Sequence, residues 1–292
     1  LGPAMPQVLP VAPLRRWSNH GRFLRRPERI PAIRIRPRRG ESTLKVAGGL
    51  VFAMFRAAQL TKRYGDVVAV DTVDLDVRPG EIFGLLGSNG AGKTTMMKVF
   101  MTLLRPDGGR ATVDGIDVTR DSLAVRSLLG YVPENPSLYE KLTGAEFLQF
   151  LAALRGIPRD RAKSLIGDAA NLFRLDRELE LEMDAYSRGM RQKVALAAAT
   201  FLRPKGLVLD EPTNGLDPRF TKILKEYLRE FAADGGTVLL STHITDIAEA
   251  VCDRVAVAHE GRVVALGTVD AVQAQAGASN LEDAFVALVG GP

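Results

Sequence analysis

Apolar and polar positions change period several times along this chain. Between residues 55 and 80 they alternate with the two-residue period of half-buried strands, in Phe55-Arg56-Ala57-Ala58 and again in Val73-Asp74-Leu75-Asp76-Val77. Gly80 marks the turn into a short apolar strand, Glu81-Ile82-Phe83-Gly84-Leu85-Leu86. Thr95 to Met101 reads as a helix, and residues 111–118 as a short strand pair around Asp114-Gly115. Between 141 and 200 the spacing becomes helical, in Ala145–Leu151 and Ala162–Phe173, with Leu148, Leu151, Leu165 and Leu172 as core positions. Apolar strands return at Lys205–Leu209 and Thr237–Ser241. Val255–Ala258 and Arg262–Leu266 flank His259-Glu260-Gly261 as a hairpin. Lys222, Lys225, Arg229 and Glu230 read as a solvated helix face. The pattern predicts an α/β protein: an antiparallel β-subdomain packed on a core with a mostly parallel sheet, and a helix-rich subdomain at about 141–200.

Composition narrows the class. Of 292 residues 46% are hydrophobic and 25% charged, which is ordinary for a globular protein. No apolar run reaches the ~18 residues needed to cross a bilayer. The longest, Val194 to Leu202, contains Thr200 and is stopped by Arg203. The chain therefore has no membrane span of its own, and any membrane path belongs to another polypeptide. The single cysteine, Cys252, excludes an intramolecular disulfide and reads as packing after Val251.

Charge is divided unevenly. Residues 1–53 carry ten Arg and one Lys against Glu28 and Glu41, a net of +9, although the whole chain is only +5. This segment also holds seven prolines and no sustained periodicity, so it is expected to be a largely disordered extension before a domain at 54–290. Three readings stand: a start assigned upstream of Met54, a basic tail for anionic lipid or nucleic acid, or a targeting peptide. The last ranks lowest because a continuous apolar core is missing.

The chemistry begins at residues 87–94, Gly-Ser-Asn-Gly-Ala-Gly-Lys-Thr. This is the phosphate-binding loop G-x-x-x-x-G-K-[ST], set between a strand and a helix as such a loop must be. Gly87, Gly90 and Gly92 free the backbone of Ser88, Asn89 and Ala91 to turn N–H groups onto one anion, and the helix N-terminus adds positive potential. Lys93 is placed for the β- and γ-phosphates, Thr94 for Mg²⁺ and Thr95 for the phosphates. Further on, Lys205 to Leu209 ends in Asp210-Glu211-Pro212. Asp210 is placed to hold Mg²⁺, and Glu211 to orient or deprotonate the attacking water.

Other segments fall in order around these two: Tyr64 after Leu60-Thr61-Lys62-Arg63, Gly130-Tyr131-Val132-Pro133-Glu134, Tyr186-Ser187-Arg188-Gly189-Met190-Arg191-Gln192, Asn214-Gly215-Leu216-Asp217, and Ser241-Thr242-His243. From about Met54 to Gly290 the chain resembles the ATP-binding cassette (ABC) ATPases. Their fold is a RecA-like core with a mostly parallel sheet, an antiparallel β-subdomain and a helical subdomain bearing the signature, here in the form Y-S-x-G-M-x-Q. The resemblance implies that Tyr64 stacks on adenine, that Glu134 stands at the Q-loop and near Mg²⁺, that Asp217 belongs to the D-loop, and that His243 contacts the γ-phosphate. It also implies that Ser187 and Gly189 cover the ATP of a second cassette in a head-to-tail dimer. Two positions depart from the common pattern. Glu134 replaces a glutamine, so it accepts but cannot donate at neutral pH. Arg188 replaces a glycine, as often happens in the Y-S-x-G-M class. His20 and His259 receive no role.

The closing segment Ser279–Gly290 resembles that of single-cassette ATPases that pair with separate six-helix permeases. The resemblance therefore implies an ATP-hydrolysing subunit using ATP and Mg²⁺. It would lie in the cytoplasm on the inner face of the cell membrane and energise a transporter, most of all an exporter, without nucleic acid as partner. The alternatives are a soluble ABC ATPase acting on ribosomes or DNA, and a regulatory module that does not transport. The usual second cassette or coiled-coil insertion argues against the first, being absent here, and the Asp210–Glu211 pair with His243 argues against the second.

Overall fold

A computed structural model of the chain describes residues 44–46, 49–51, 53–175 and 177–290. Two short antiparallel strands come first, β1 (Leu44–Val46) and β2 (Gly49–Val51). The alternating region forms β3 (Phe55–Tyr64) and β4 (Val67–Val77), and then come β5 (Ile82–Gly87) and α1 (Lys93–Phe100). β6 (Gly108–Val113), β7 (Ile116–Asp117), α2 (Ser122–Leu128) and β8 (Leu129–Val132) follow. The helical region holds α3 (Gly144–Leu154), α4 (Arg159–Phe173) and α5 (Arg188–Thr200). The remainder runs β9 (Gly206–Asp210), α6 (Pro218–Ala233), β10 (Thr237–Thr242), α7 (Thr245–Val251), β11 (Arg254–His259), β12 (Arg262–Thr268), α8 (Val269–Ala276) and α9 (Leu281–Val289).

The main sheet has the order β12-β11-β5-β10-β9-β8. β11, β5, β10, β9 and β8 are parallel, and β12 returns antiparallel at the edge. β5, β9 and β10 are buried at every position, because both faces of the sheet are covered. β5 shows how the layers divide. Ile82 packs with the helical region, Phe83 and Leu85 pack with the antiparallel sheet β4-β3-β6-β7 and α1, and Leu86 packs with α8 and α9. Four adjacent parallel strands end at one edge, and the segments that follow them carry Glu134, Asp210–Glu211, His243 and the phosphate loop. Ligands of open α/β sheets bind at this carboxyl edge.

Several expectations are refined. β3 and β4 are longer than the alternation indicated, because bulges near Leu60 and Lys62 reset the period partway. β8 carried no pattern of its own, since four residues give no period to read. The predicted hairpin β11–β12 completes the main sheet. The predicted solvated face of α6 is only partly solvated. Lys222 and Arg229 are exposed, and Arg229 also donates to the Ala250 carbonyl. Lys225 and Glu230 are half-buried, and burial raises the Glu230 carboxyl above its ordinary pKa. Cys252 is packing, as expected: a Cβ on Gly84 of β5 would lie 2.8 Å from its Sγ, and burial pushes its thiol pKa up. The described residues fall in one unit, 43–292. Apart from β1, β2 and Ala53, the expected basic extension lies outside the described residues. Among those residues, no helix is long and apolar enough to cross a membrane.

Candidate active site

β5 delivers the chain into the loop 88–92, and α1 begins at Lys93. Gly92 occupies the N-cap at φ 96°, and no side chain caps the first turn of α1. Its leading N–H groups are thus left for an anion. Glycine is required at two points. A Cβ on Gly92 would lie 2.3 Å from Ala69 O, and one on Gly87 would lie 2.5 Å from Ala258 O. The loop is therefore pressed between β4 and the end of β11. A cleft of about 340 Å³ opens over it, walled by residues 88–95 together with Ala69, Glu134 and Glu211.

The charges in this cleft are ordered by short contacts. Lys93 is buried, and its Nζ donates to Gly87 O at 2.6 Å and Ser88 O at 3.1 Å. The same ammonium is 3.6 Å from Glu211 Oε1. Glu211 is only 3% exposed, and its Oε2 lies 2.9 Å from His243 Nδ1. One carboxylate is thereby held between a lysine and an imidazole, with a buried Oε1 that has no hydrogen-bond partner. A carboxylate so placed can take a proton from water in the cleft. Glu211 also has φ +49°, a left-handed conformation that costs a non-glycine residue on the order of 1–2 kcal/mol.

Asp210 is 1% exposed. Its Oδ1 accepts from Ser241 Oγ at 2.5 Å, while Oδ2 is buried with no hydrogen-bond partner. Neighbouring Tyr131 registers this charge: burial first, then Asp210, pushes its phenol pKa up to about 12. Among the described residues, no cluster of three His, Cys, Asp or Glu side chains is placed to hold a metal. One unpaired carboxylate oxygen with the Thr94 hydroxyl fits Mg²⁺, which keeps several waters and completes its shell with substrate phosphates.

The cleft gathers Ser88, Asn89, Gly90, Ala91, Gly92, Lys93, Thr94, Thr95, Glu134 and Glu211. Gly87 is joined to it through Lys93, Asp210 as the neighbour of Glu211 in the chain, and His243 through the Glu211 carboxylate. Tyr64, Ser187, Gly189 and Asp217 are not among its walls. Tyr64 is 48% exposed at the end of β3. Ser187 caps α5 by accepting from Met190 N at 3.3 Å, and Asp217 caps α6 by accepting from Phe220 N at 2.9 Å. The bond from Phe220 N is the leading reason that the Asp217 carboxyl is held below its ordinary pKa. Gly189 faces the loop that follows Glu211, where a Cβ would meet Gly215 O at 2.9 Å.

Comparison with known proteins agrees with this geometry. The family model described as ABC transporter matches residues 70–214. The daunorubicin resistance ATP-binding protein DrrA3 of Streptomyces coeruleorubidus is 40% identical over 221 residues, 76% of this chain and 70% of that protein. The chain belongs to the ABC transporter ATP-binding proteins. The Nod factor export ATP-binding protein I of Burkholderia pseudomallei is 38% identical over 209 residues, 72% of this chain and 69% of that protein. A solved ATP-binding subunit of an ABC transporter superposes with a TM-score of 0.76 at 34% identity, covering 80% of this chain and 99% of that one. As an ABC ATPase the chain binds and hydrolyses ATP. The family context favours a transporter subunit over a soluble ABC ATPase or a regulatory module.

Three contacts of this ABC subunit were not legible beforehand. Ala69 walls the cleft from β4, and nothing in an alternating strand marks it. Gln192 is 2% exposed and donates from Nε2 to Pro212 O at 3.1 Å. Ser241 is fully buried between the two acids. Both residues lie inside quoted motifs; Ser241 had the signal of a polar side chain closing an apolar run, whereas Gln192, between Arg191 and Lys193, had none.

Proposed function

We propose that residues 54–290 are the motor cassette of an exporter. In this reading they bind Mg-ATP at the N-terminus of α1, hydrolyse it with Glu211, and work as half of a head-to-tail pair that drives a separate permease. The observation that carries the proposal is the set of uncapped helix N–H groups and buried carboxylate oxygens that no hydrogen bond satisfies. The open helix end lies beside Lys93, whose ammonium is 3.6 Å from Glu211 Oε1, and both that oxygen and Asp210 Oδ2 are buried with no hydrogen-bond partner. A triphosphate supplies the missing anion, and water the missing proton donor.

Backbone N–H groups of residues 90–94 and the Lys93 ammonium hold the phosphates. Thr94 and Asp210, with Glu134 nearby, would hold Mg²⁺, which when bound neutralises charge on the β- and γ-oxygens. Glu211 accepts the water proton. His243 fixes Glu211 through Nδ1 and leaves its other ring nitrogen for the γ-phosphate. The exposed Tyr64 ring offers a stacking face for adenine. Ser187 and Gly189 at the start of α5, with Asp217, complete the site of the other cassette, because they stand off the cleft of their own.

The names of the relatives, one of them an export protein, support an exporter in which the permease selects the substrate. The cassette then works in the cytoplasm at the inner face of the cell membrane. The test is affinity capture from detergent-solubilised membranes of the native host. A polytopic membrane protein in stoichiometric amount, stimulating ATP hydrolysis after reconstitution, is the expected outcome. Ribosomes or DNA in its place would sink the transport reading.

A further inference from the structure

The two acids at the end of β9 share one buried hydroxyl. β9 and β10 are parallel, with Ser241 registered against Asp210. Ser241 has no exposed surface. A serine hydroxyl has one proton to give and lone pairs to accept with, and here both capacities are used on catalytic neighbours. The proton goes to Asp210 Oδ1 at 2.5 Å, and a lone pair receives Glu211 N at 3.0 Å. The same Glu211 N–H reaches Ser241 O at 3.2 Å. Two acceptors on one residue thus hold the amide of the residue that sits at φ +49°.

This arrangement has a consequence for each acid. Asp210 has two equivalent oxygens, and the hydroxyl claims one of them. Turning the carboxylate over would exchange the bonded oxygen for the partner-free one, so the bond fixes which oxygen stays open. For Glu211, the anchored amide fixes the backbone from which its side chain reaches Lys93 and His243. We propose that Ser241 is a positioning residue for hydrolysis. It sets the open oxygen of Asp210 toward the metal and holds Glu211 in the left-handed conformation that aims its carboxylate. The proposal rests on the reading of Asp210 as metal ligand and Glu211 as base.

The test compares Ser241→Ala, which loses the hydroxyl, with Ser241→Thr, which keeps it. Titration calorimetry gives the ATP dissociation constant in EDTA and in Mg²⁺, in the Glu211→Gln background so that ATP is not consumed. Steady-state kinetics on the single variants give kcat. Outer-shell partners of metal ligands typically contribute about 10- to 100-fold in metal affinity or activity. Ser241→Ala is therefore expected to cut both the Mg²⁺-dependent gain in affinity and kcat by about tenfold or more. ATP binding in EDTA should stay within about twofold, since the phosphate loop is untouched and the expected loss is confined to the metal-dependent part. Ser241→Thr is expected to recover most of both losses. An unchanged Mg²⁺ gain and kcat in Ser241→Ala would overturn the proposal, as would equal impairment of the alanine and threonine variants, which points to packing. A parent protein whose ATP affinity gains nothing from Mg²⁺, and for which Asp210→Asn changes nothing, would remove the metal reading itself and the proposal with it.

Discussion

The phosphate end and the signature end of this molecule are built in opposite ways. At the phosphate end, Lys93, Asp210 and Glu211 are each at most 5% exposed and are fixed by contacts of 2.5 to 3.6 Å. At the signature end, Ser187 and Arg188 are exposed, and Ser187 does no more than cap its own helix. The first arrangement is a preorganised cage with one side open. The second is a helix N-terminus presented outward with no charge to meet. The difference is what the proposed head-to-tail pairing uses: in that reading the first end lacks donors for the far side of the γ-phosphate, and the second end would supply them to another copy.

The comparison can be broken most severely at the base. Glu211→Gln removes the proton acceptor and leaves the cage, so kcat should fall by about 10²- to 10⁴-fold while ATP affinity is retained. Turnover near the parent level, measured together with nucleotide binding, would remove Glu211 from this role. A smaller effect is expected where the two ends touch within one chain. Gln192 of α5 is bonded to the residue after Glu211, and Gly189 packs on Gly215. Gln192→Leu leaves Pro212 O unpaired and lets the Glu211 loop relax. Displacement of a reacting group by ~1 Å can cost a hundredfold, so a partial shift should lower kcat on the order of tenfold. ATP affinity should hold. A folded variant, judged by its thermal midpoint, with parental kcat would show that the two ends are mechanically separate.

The smallest effect lies beside Asp210. Tyr131 has its pKa raised from 10 to about 12 by burial and by Asp210. In that window the unfolded chain loses the proton and the folded chain keeps it, so stability falls as pH rises from about 10 toward 12. Below pH 10 the contribution is fully present. Tyr131→Phe should flatten this alkaline loss and leave the neutral midpoint nearly unchanged. Identical melting curves for the two proteins across that range would refute the burial argument.

Legibility in the sequence followed the range of the interactions. The phosphate loop, the Asp210–Glu211 pair and each of the other motifs were readable because each depends on residues a few positions apart. The parallel core and the helical region were readable from period. β8, with four residues, and the placing of β11–β12 in the main sheet were not, because pairing between distant strands leaves no local mark. The bridge from Ser241 to Asp210 and Glu211 spans 31 and 30 positions and exists only through the register of β9 and β10. The half-burial of Lys225 and Glu230 was missed for the same reason: what covers a helix face is set by distant chain.

The central claim is that the open cage and the outward signature belong to one composite site made by two chains. Light scattering on the Glu211→Gln protein with Mg-ATP tests it most directly, with Glu211→Gln/Ser187→Asp alongside. Aspartate caps a helix as well as serine does, so α5 keeps its start. Its charge would face the phosphates of the other copy and repel them. The account predicts that ATP doubles the mass of the first protein, while the second stays monomeric and binds ATP as tightly. A Glu211→Gln protein that stays monomeric at saturating Mg-ATP, or a Ser187→Asp dimer that forms undisturbed, would contradict it.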